Sequence, residues 1–119
     1  MQETFGRGAR LRARAEFTAV QEHGRRVSSR RLTLLGRSND LGHDRLGIIA
    51  SRRIGGAVIR NRAKRRLREL FRREAPEVTT PDQPALDIVA IARRDLAVAP
   101  FEDVRTEFRA AMRKLRRIR

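Results

Sequence analysis

Residues 52–73 read RRIGGAVIRNRAKRRLRELFRR, and ten of these 22 positions are Arg or Lys against a single acid, Glu69. A run of like charge this dense repels itself, at roughly a few tenths of a kcal/mol for each like pair four residues apart on a helix. Yet Ala57, Val58, Ile59, Ala63, Leu67, Leu70 and Phe71 are interleaved with the charges. At about 100° per residue, Ile59, Ala63, Leu67, Leu70 and Phe71 fall within one arc of about 120°. Asn61, Lys64, Arg65, Arg68 and Arg72 take the opposite side. The segment therefore predicts an amphipathic helix, ended by Pro76, with one stripe in a core and the other in water.

Downstream, PEVTTPDQP (76–84) holds three of the four prolines and reads as a linker. ALDIVAIA (85–92) is a nearly continuous apolar run, which predicts a central or well-covered strand. From Pro100 onward, Phe101, Val104, Phe108, Ala111, Met112 and Leu115 form an apolar stripe at helical spacing. Glu102 and Asp103 in its first turn, and basic residues in its last, both suit the helix dipole.

Upstream, RLGIIAS (45–51) reads as a buried strand and SNDLGHD (38–44) as a loop. RLTLLGR (31–37) and a segment near Val27 in RRVSS read as further strands, and the three together predict an antiparallel meander. Ala13 to His23 reads as a short helix, with Ala13, Phe17 and Val20 on one face and Gly24 as its stop. No residue at its start makes a good cap. Residues 1–10 are expected to form a loose arm, and 11–119 a single α+β domain with helices packed on one small sheet.

The net charge of the 119 residues is +15. A surface so basic attracts polyanions and releases their counterions, which puts nucleic acid first among partners and an anionic membrane second. Lys64 and Lys114 are the only lysines among 29 basic residues. Arg carries a planar fork that matches phosphate and stacks on bases. The sequence has no Cys, which excludes disulfides, thiolate chemistry and Cys-ligated zinc. It has no apolar run of membrane-spanning or signal-peptide length, so no membrane association and a cytoplasmic location are expected. His23 and His43 are isolated, and the acids form no close cluster of the kind a two-metal nuclease needs. These residues point to RNA or DNA binding without hydrolytic machinery of the chain's own.

The segment GGAVIRNRAKRRLRE (55–69) resembles the signature of the bacterial ribonuclease P protein subunit, G-x-A-V-x-R-N-x-x-K-R-x-x-R-E. Gly55, Ala57, Val58, Arg60, Asn61, Lys64, Arg65, Arg68 and Glu69 fill every fixed position. RLRARAEFTAVQEHG (10–24), RLGIIASRRIG (45–55) and DIVAIARR (87–94) are similar to the family's first helix, the strand entering its basic helix, and its last strand. The resemblance implies a small α-β sandwich with a four-stranded sheet and a left-handed βαβ crossover around the basic helix, the arrangement shared with a domain of a ribosomal protein. Handedness rules alone favour a right-handed crossover.

The resemblance further implies a ribonucleoprotein endoribonuclease whose RNA subunit carries the active site and removes the 5′ leader of precursor tRNA. The protein partners would be that catalytic RNA and precursor tRNA, with magnesium mainly on the RNA. Carried over by position, Arg52, Arg53, Arg60, Asn61, Arg62, Lys64, Arg65 and Arg68 would contact RNA. Phe17, Leu35, Arg60 and Asn61 would border a cleft for the leader, with Phe17 both a core residue and a surface for a stacked base. Gln21 and Leu35 stand where the family often has aromatics. A ribosomal or other structural RNA-binding protein is the first alternative. A helix-turn-helix DNA reader lacks its preceding helix, and a self-sufficient nuclease lacks its acids and histidines.

Overall fold

The computed structural model describes residues 10–75 and 82–117. Its elements, in chain order, are α1 (Arg14–His23), β1 (Arg25–Ser28), β2 (Leu32–Ser38), β3 (Arg45–Ile49), α2 (Ala57–Glu74), β4 (Leu86–Ala92) and α3 (Phe101–Arg117), with a 3-10 turn at Arg52–Ile54. Helices and strands thus fall where the periodicity of the sequence predicts them. Of the arm expected over 1–10, residues 1–9 lie outside the described residues. Arg10 pairs with Leu46 as an isolated parallel bridge, and the Leu11 N–H donates to the Leu46 carbonyl at 3.0 Å. The expected stop at Pro76 and most of the 76–84 linker also lie outside them.

The sheet order is β1-β2-β4-β3. The expected meander is therefore correct for β1 and β2, which pair antiparallel, and wrong for β3. β4 lies between β2 and β3, antiparallel to the first and parallel to the second. The reason is burial. Leu86, Ile88, Val89, Ala90 and Ala92 are all buried, alternating between both faces of the sheet. A strand that apolar on both faces belongs in the middle, and β3 is left to the edge. The loop between β2 and β3 turns through Asp40 and Gly42, at φ of 58° and 81°. α2 connects the parallel pair and forms the βαβ crossover.

Side chains alternate along β2: Leu32 and Leu34 enter the main core, and Leu35 enters a smaller one. The main core joins Leu32, Leu34, Ile88 and Ala90 to Leu67 and Leu70 of α2 and to Phe108 and Met112 of α3. On the other face, Val20 and Leu11 meet Leu35 and Val89, with Phe17 packed against them. α2 and α3 thus cover one face and α1 the other. Gly36 permits this closeness, because a Cβ there would lie 2.8 Å from a methyl of Leu115.

Acidic side chains fasten these layers. The start of α1, which lacks a capping residue, is closed by Glu16, whose carboxylate accepts the Arg12 and Ala13 N–H groups at 2.8 and 2.9 Å. Those bonds, reinforced by Arg45, hold its carboxyl below the usual carboxylate value. Asp87 accepts from Arg45 at two oxygens, both at 2.7 Å. Glu107 of α3 accepts the Arg31 N–H at 2.6 Å and bonds to the Ser29 hydroxyl. Buried Glu74, at the end of α2, accepts from Arg105 at 3.0 Å and from Arg109, both on α3. Burial pushes the Glu74 carboxyl up, but hydrogen bonds from Arg109 and Arg105 together outweigh it, and the net shift is downward.

A carboxylate depressed in the folded state adds stability that is full above its unfolded pKa and is lost as pH falls through the folded one. Glu74→Gln is expected to cost about 2 kcal/mol, the scale of a hydrogen bond to a charged group. It should also make stability less steeply dependent on pH in the acid range. Urea unfolding of both proteins over an acid pH series measures each effect, and parallel pH curves would count against the Glu74 clasp.

Candidate nucleic-acid interface

The basic helix begins on a pair of glycines. Gly55 sits at φ +147°, where an L side chain is strained, and its missing Cβ would also crowd Ile59 at 2.9 Å. Gly56 is the N-cap and offers no side chain to the first-turn N–H groups. No acid stands in that turn. The positive end of the helix dipole and a row of cations therefore coincide. Ser51 steadies the approach, its hydroxyl accepting the Arg53 N–H at 3.3 Å.

The two-sided reading of α2 holds for most of its residues. Ala63, Leu67, Leu70 and Phe71 are buried and Ile59 is half-buried, whereas Val58 is 72% exposed. Asn61, Arg62, Arg65 and Arg68 are exposed. Lys64, on the flank of the apolar arc, is half-buried. Glu69 spends its charge on the end of the helix, pairing with Arg72 at 2.9 Å and Arg73 at 2.7 Å. Arg62, Lys64, Arg65 and Arg68 are left without an ion pair among the described residues. Arg52 and Arg53 are exposed on the turn just ahead. Arg60 is half-buried, with its Nε enclosed and lacking a hydrogen-bond partner. The eight residues expected to contact RNA therefore share one helix and its entry turn.

Arg66 departs from its neighbours. Its guanidinium turns inward and donates to the carbonyls of Leu96 and Ala99 at 2.9 and 2.7 Å. It also lies 5.6 Å from the centroid of the Phe101 ring. Burial, with Arg62 adding repulsion, lowers its pKa from the ordinary guanidinium value. This residue ties α2 to the segment entering α3. The signal was available in the sequence, since at 100° per residue Arg66 falls only about 20° from the apolar arc.

On the opposite face, Phe17 of α1 is half-buried over Gly47, where a Cβ would stand 2.5 Å from the ring. Leu35 and Val89 form the buried floor, and Ile49 and Ile91 stay partly exposed beside it. Leu35 is thus a floor residue and Gln21 an exposed one. Phe17 and Leu35 come together as expected. Arg60 and Asn61 stand on another layer, since α2 packs beside α3 on the far face. The two pairs are connected through β3, which carries Gly47 and feeds α2. Among the described residues no three His, Asp or Glu side chains gather to hold a metal ion, and His23 and His43 are both exposed.

Comparison with known proteins agrees with this geometry. The family model described as Ribonuclease P matches residues 5–116. The ribonuclease P protein component of Syntrophomonas wolfei is 38% identical over 106 residues, covering 89% of this chain and 86% of its own. That of Thermotoga maritima is 37% identical over 97 residues, covering 82% and 80%. The solved Thermotoga maritima RNase P protein superposes with a TM-score of 0.77 at 32% identity, over 88% of this chain and 96% of that one. A Staphylococcus aureus RNase P protein gives 0.72 at 29% identity, over 91% and 97%.

If the unpaired row on α2 meets phosphates, the double substitution Arg65→Ala, Arg68→Ala weakens RNA binding. It should flatten the slope of log affinity against log salt by about 0.7–0.9 per lost contact. Filter-binding titrations at several salt concentrations test this, and an unchanged slope would place the contact surface elsewhere.

Proposed function

This chain belongs to the ribonuclease P protein family, and from that premise we propose how it serves the ribonuclease P complex: it binds the catalytic RNA through α2 and the 5′ leader of precursor tRNA through the cleft under α1. The observation that carries the reading is the row Arg62, Lys64, Arg65 and Arg68, which makes no ion pair with any acid among the described residues. An exposed helix face of that charge gains most from a phosphate backbone, whose condensed counterions it releases. Asn61 within the row adds an amide for a base edge or a sugar hydroxyl.

Chemistry is assigned to the RNA. Several described carboxylates of this chain are engaged in caps and clasps, among them Glu16, Glu74, Asp87 and Glu107, and the described acids do not gather in a group that could hold a metal ion, so magnesium is proposed to sit mainly on the RNA. What the protein supplies is position. Phe17 presents part of its ring beside Ile49 and Ile91, an apolar surface on which one unpaired base can stack. The chain has no Tyr or Trp. Leader affinity therefore leans on Arg and on aliphatic contact more than on stacking. Among the described residues no helix is long and apolar enough to cross a membrane, and the proposed place of action is the cytoplasm. A structural RNA-binding protein would share the charged helix but would not distinguish precursor from mature tRNA.

The purified chain alone is expected not to process precursor tRNA, and to do so when combined with the host's catalytic RNA at physiological magnesium. Cleavage by the protein alone, persisting after nuclease treatment of the preparation, would overturn the assignment. Phe17→Ala should weaken precursor binding by the complex more than mature tRNA binding, on the scale of about 1–3 kcal/mol for a stacked base. Equal losses on both would mark Phe17 as a packing residue only.

A further inference from the structure

A hollow of about 530 Å³ lies where α1 and β2 end, β4 begins and α3 closes. Leu86 and Leu115, both buried members of the main core, form its floor. A Cβ on Gly36 would meet Leu115 at 2.8 Å, so the hollow lies on the side of the sheet that α2 and α3 cover. Its edge carries His23, Arg25 and Arg37, all exposed, against one acid, Asp82. Arg25 is the register partner of Gly36, and Arg37 is the next residue along β2. Neither arginine makes an ion pair among the described residues.

Arg116 also lines the hollow and is 8% exposed. It pairs with Asp44 of the β2–β3 loop, but its Nε is enclosed and has no hydrogen-bond partner among the described residues. A buried donor left single calls for an acceptor. Cations continue outward from here. Arg113, Lys114 and Arg117, in the last turns of α3, are exposed and make no ion pair among the described residues. The carboxyl ends of α1 and α3 each bring only about half a negative charge, which these side chains exceed. β4 starts at the hollow and ends beside β3, whose exit leads into α2. Its seven residues, at about 3.3 Å each, set the two basic regions roughly 20 Å apart.

We propose that this hollow is a second site for the catalytic RNA: Arg25 and Arg37 hold a phosphate, and the aliphatic floor takes the sugar or base of one nucleotide, from a segment other than the one along α2. The inference rests on the reading of α2 as the first contact to that RNA. The volume falls within the range of ligand pockets and exceeds what a bare phosphate needs. A free nucleotide would be satisfied by the hollow alone, whereas cations that extend along α3 match a continuous phosphate backbone. The catalytic RNA is the occupant, and not the leader, because the hollow lies on the α2–α3 side of the sheet while Phe17 and its cleft lie on the other. With both contacts on one rigid body, the second forms at high effective concentration once the first is made.

The test measures affinity of the full chain for the host's catalytic RNA, without tRNA, at several salt concentrations. The double variant Arg25→Ala, Arg37→Ala is expected to lose about tenfold, the scale of one charge-assisted hydrogen bond. Its salt slope should flatten by about 0.7–0.9 for each lost contact. Arg25→Ala alone keeps the Arg37 charge near Asp87 and should give part of the loss. Combined with Arg65→Ala, Arg68→Ala, the two fold-losses should multiply, because the sites are too far apart to couple. Location is read by tethered cleavage. The chain has no Cys, so Ser38→Cys at the hollow and Val58→Cys on α2 each carry a single iron chelate that releases hydroxyl radicals. Two separate sets of cuts in the catalytic RNA are expected. Unchanged affinity and slope in the Arg25, Arg37 variant overturn the proposal, and so do cuts from position 38 that are absent or coincide with those from position 58. A loss that appears only when tRNA is added assigns the hollow to tRNA and overturns it too. If the α2 variant binds normally while the hollow variant does not, the reading of α2 falls instead.

Discussion

The fold and the interface both depend on the seating of one apolar stripe. Ala63, Leu67 and Leu70 of α2 are essentially without solvent exposure. Burying side chains of that size stabilises by roughly 1.5–3 kcal/mol for each leucine, whereas each like-charge pair on the outer side costs only roughly a few tenths. Burial therefore wins, and it fixes which way every other side chain of the helix points. Arg65 and Arg68 face water because Leu67 and Leu70 cannot. The cationic row is in this sense a by-product of packing, held rigid by the same contacts that hold the sheet.

A second economy concerns carboxylates. The chain holds 14 acids against 29 bases, and several of the described acids fasten layers. Glu74 joins α2 to α3, Asp87 and Glu16 converge on Arg45, and Glu107 meets the β1–β2 connection. Glu69, within the basic helix, faces its final turn. Among the described residues, the cations without an ion pair include the row on α2 and its entry turn, Arg94 just beyond β4, and exposed arginines elsewhere such as Arg12, Arg14, Arg25 and Arg30. A polyanion approaching this protein meets a field that internal pairing has not cancelled.

Much of this was legible in the residues. Helical periodicity gave α2 and α3, and the nearly continuous apolar run at 85–92 implied a central or well-covered strand. The same observation contradicts a simple meander, because a central strand must have neighbours on both sides, and proximity in sequence favoured the wrong partner for β3. Local pattern carries no information about which distant strand fills a gap. The cap supplied by Glu16 was not legible, since a cap made from three residues inside the helix resembles ordinary surface charge. Arg93 and Arg94 read as the tail of a strand. Their neighbourhood with Arg52 and Arg53 exists only once the parallel pairing is known. The separation of Arg60 and Asn61 from Phe17 by a whole layer is likewise a property of the stacking of helices on the sheet, which no spacing along the chain encodes.

The insertion of β4 between its two partners also orders events in time. On a ribosome, β1, β2, β3 and α2 are all made before the strand that joins them. Until residues 86–92 emerge, β2 lacks one neighbour, β3 lacks its neighbour, and the greasy side of α2 has no finished surface to rest on. Long-range pairing of this kind is slow to reward the loop closure it requires. The nascent chain thus spends its synthesis as a half-built sheet fringed with guanidinium groups, whose mutual repulsion keeps neighbouring copies apart until the missing strand closes the structure.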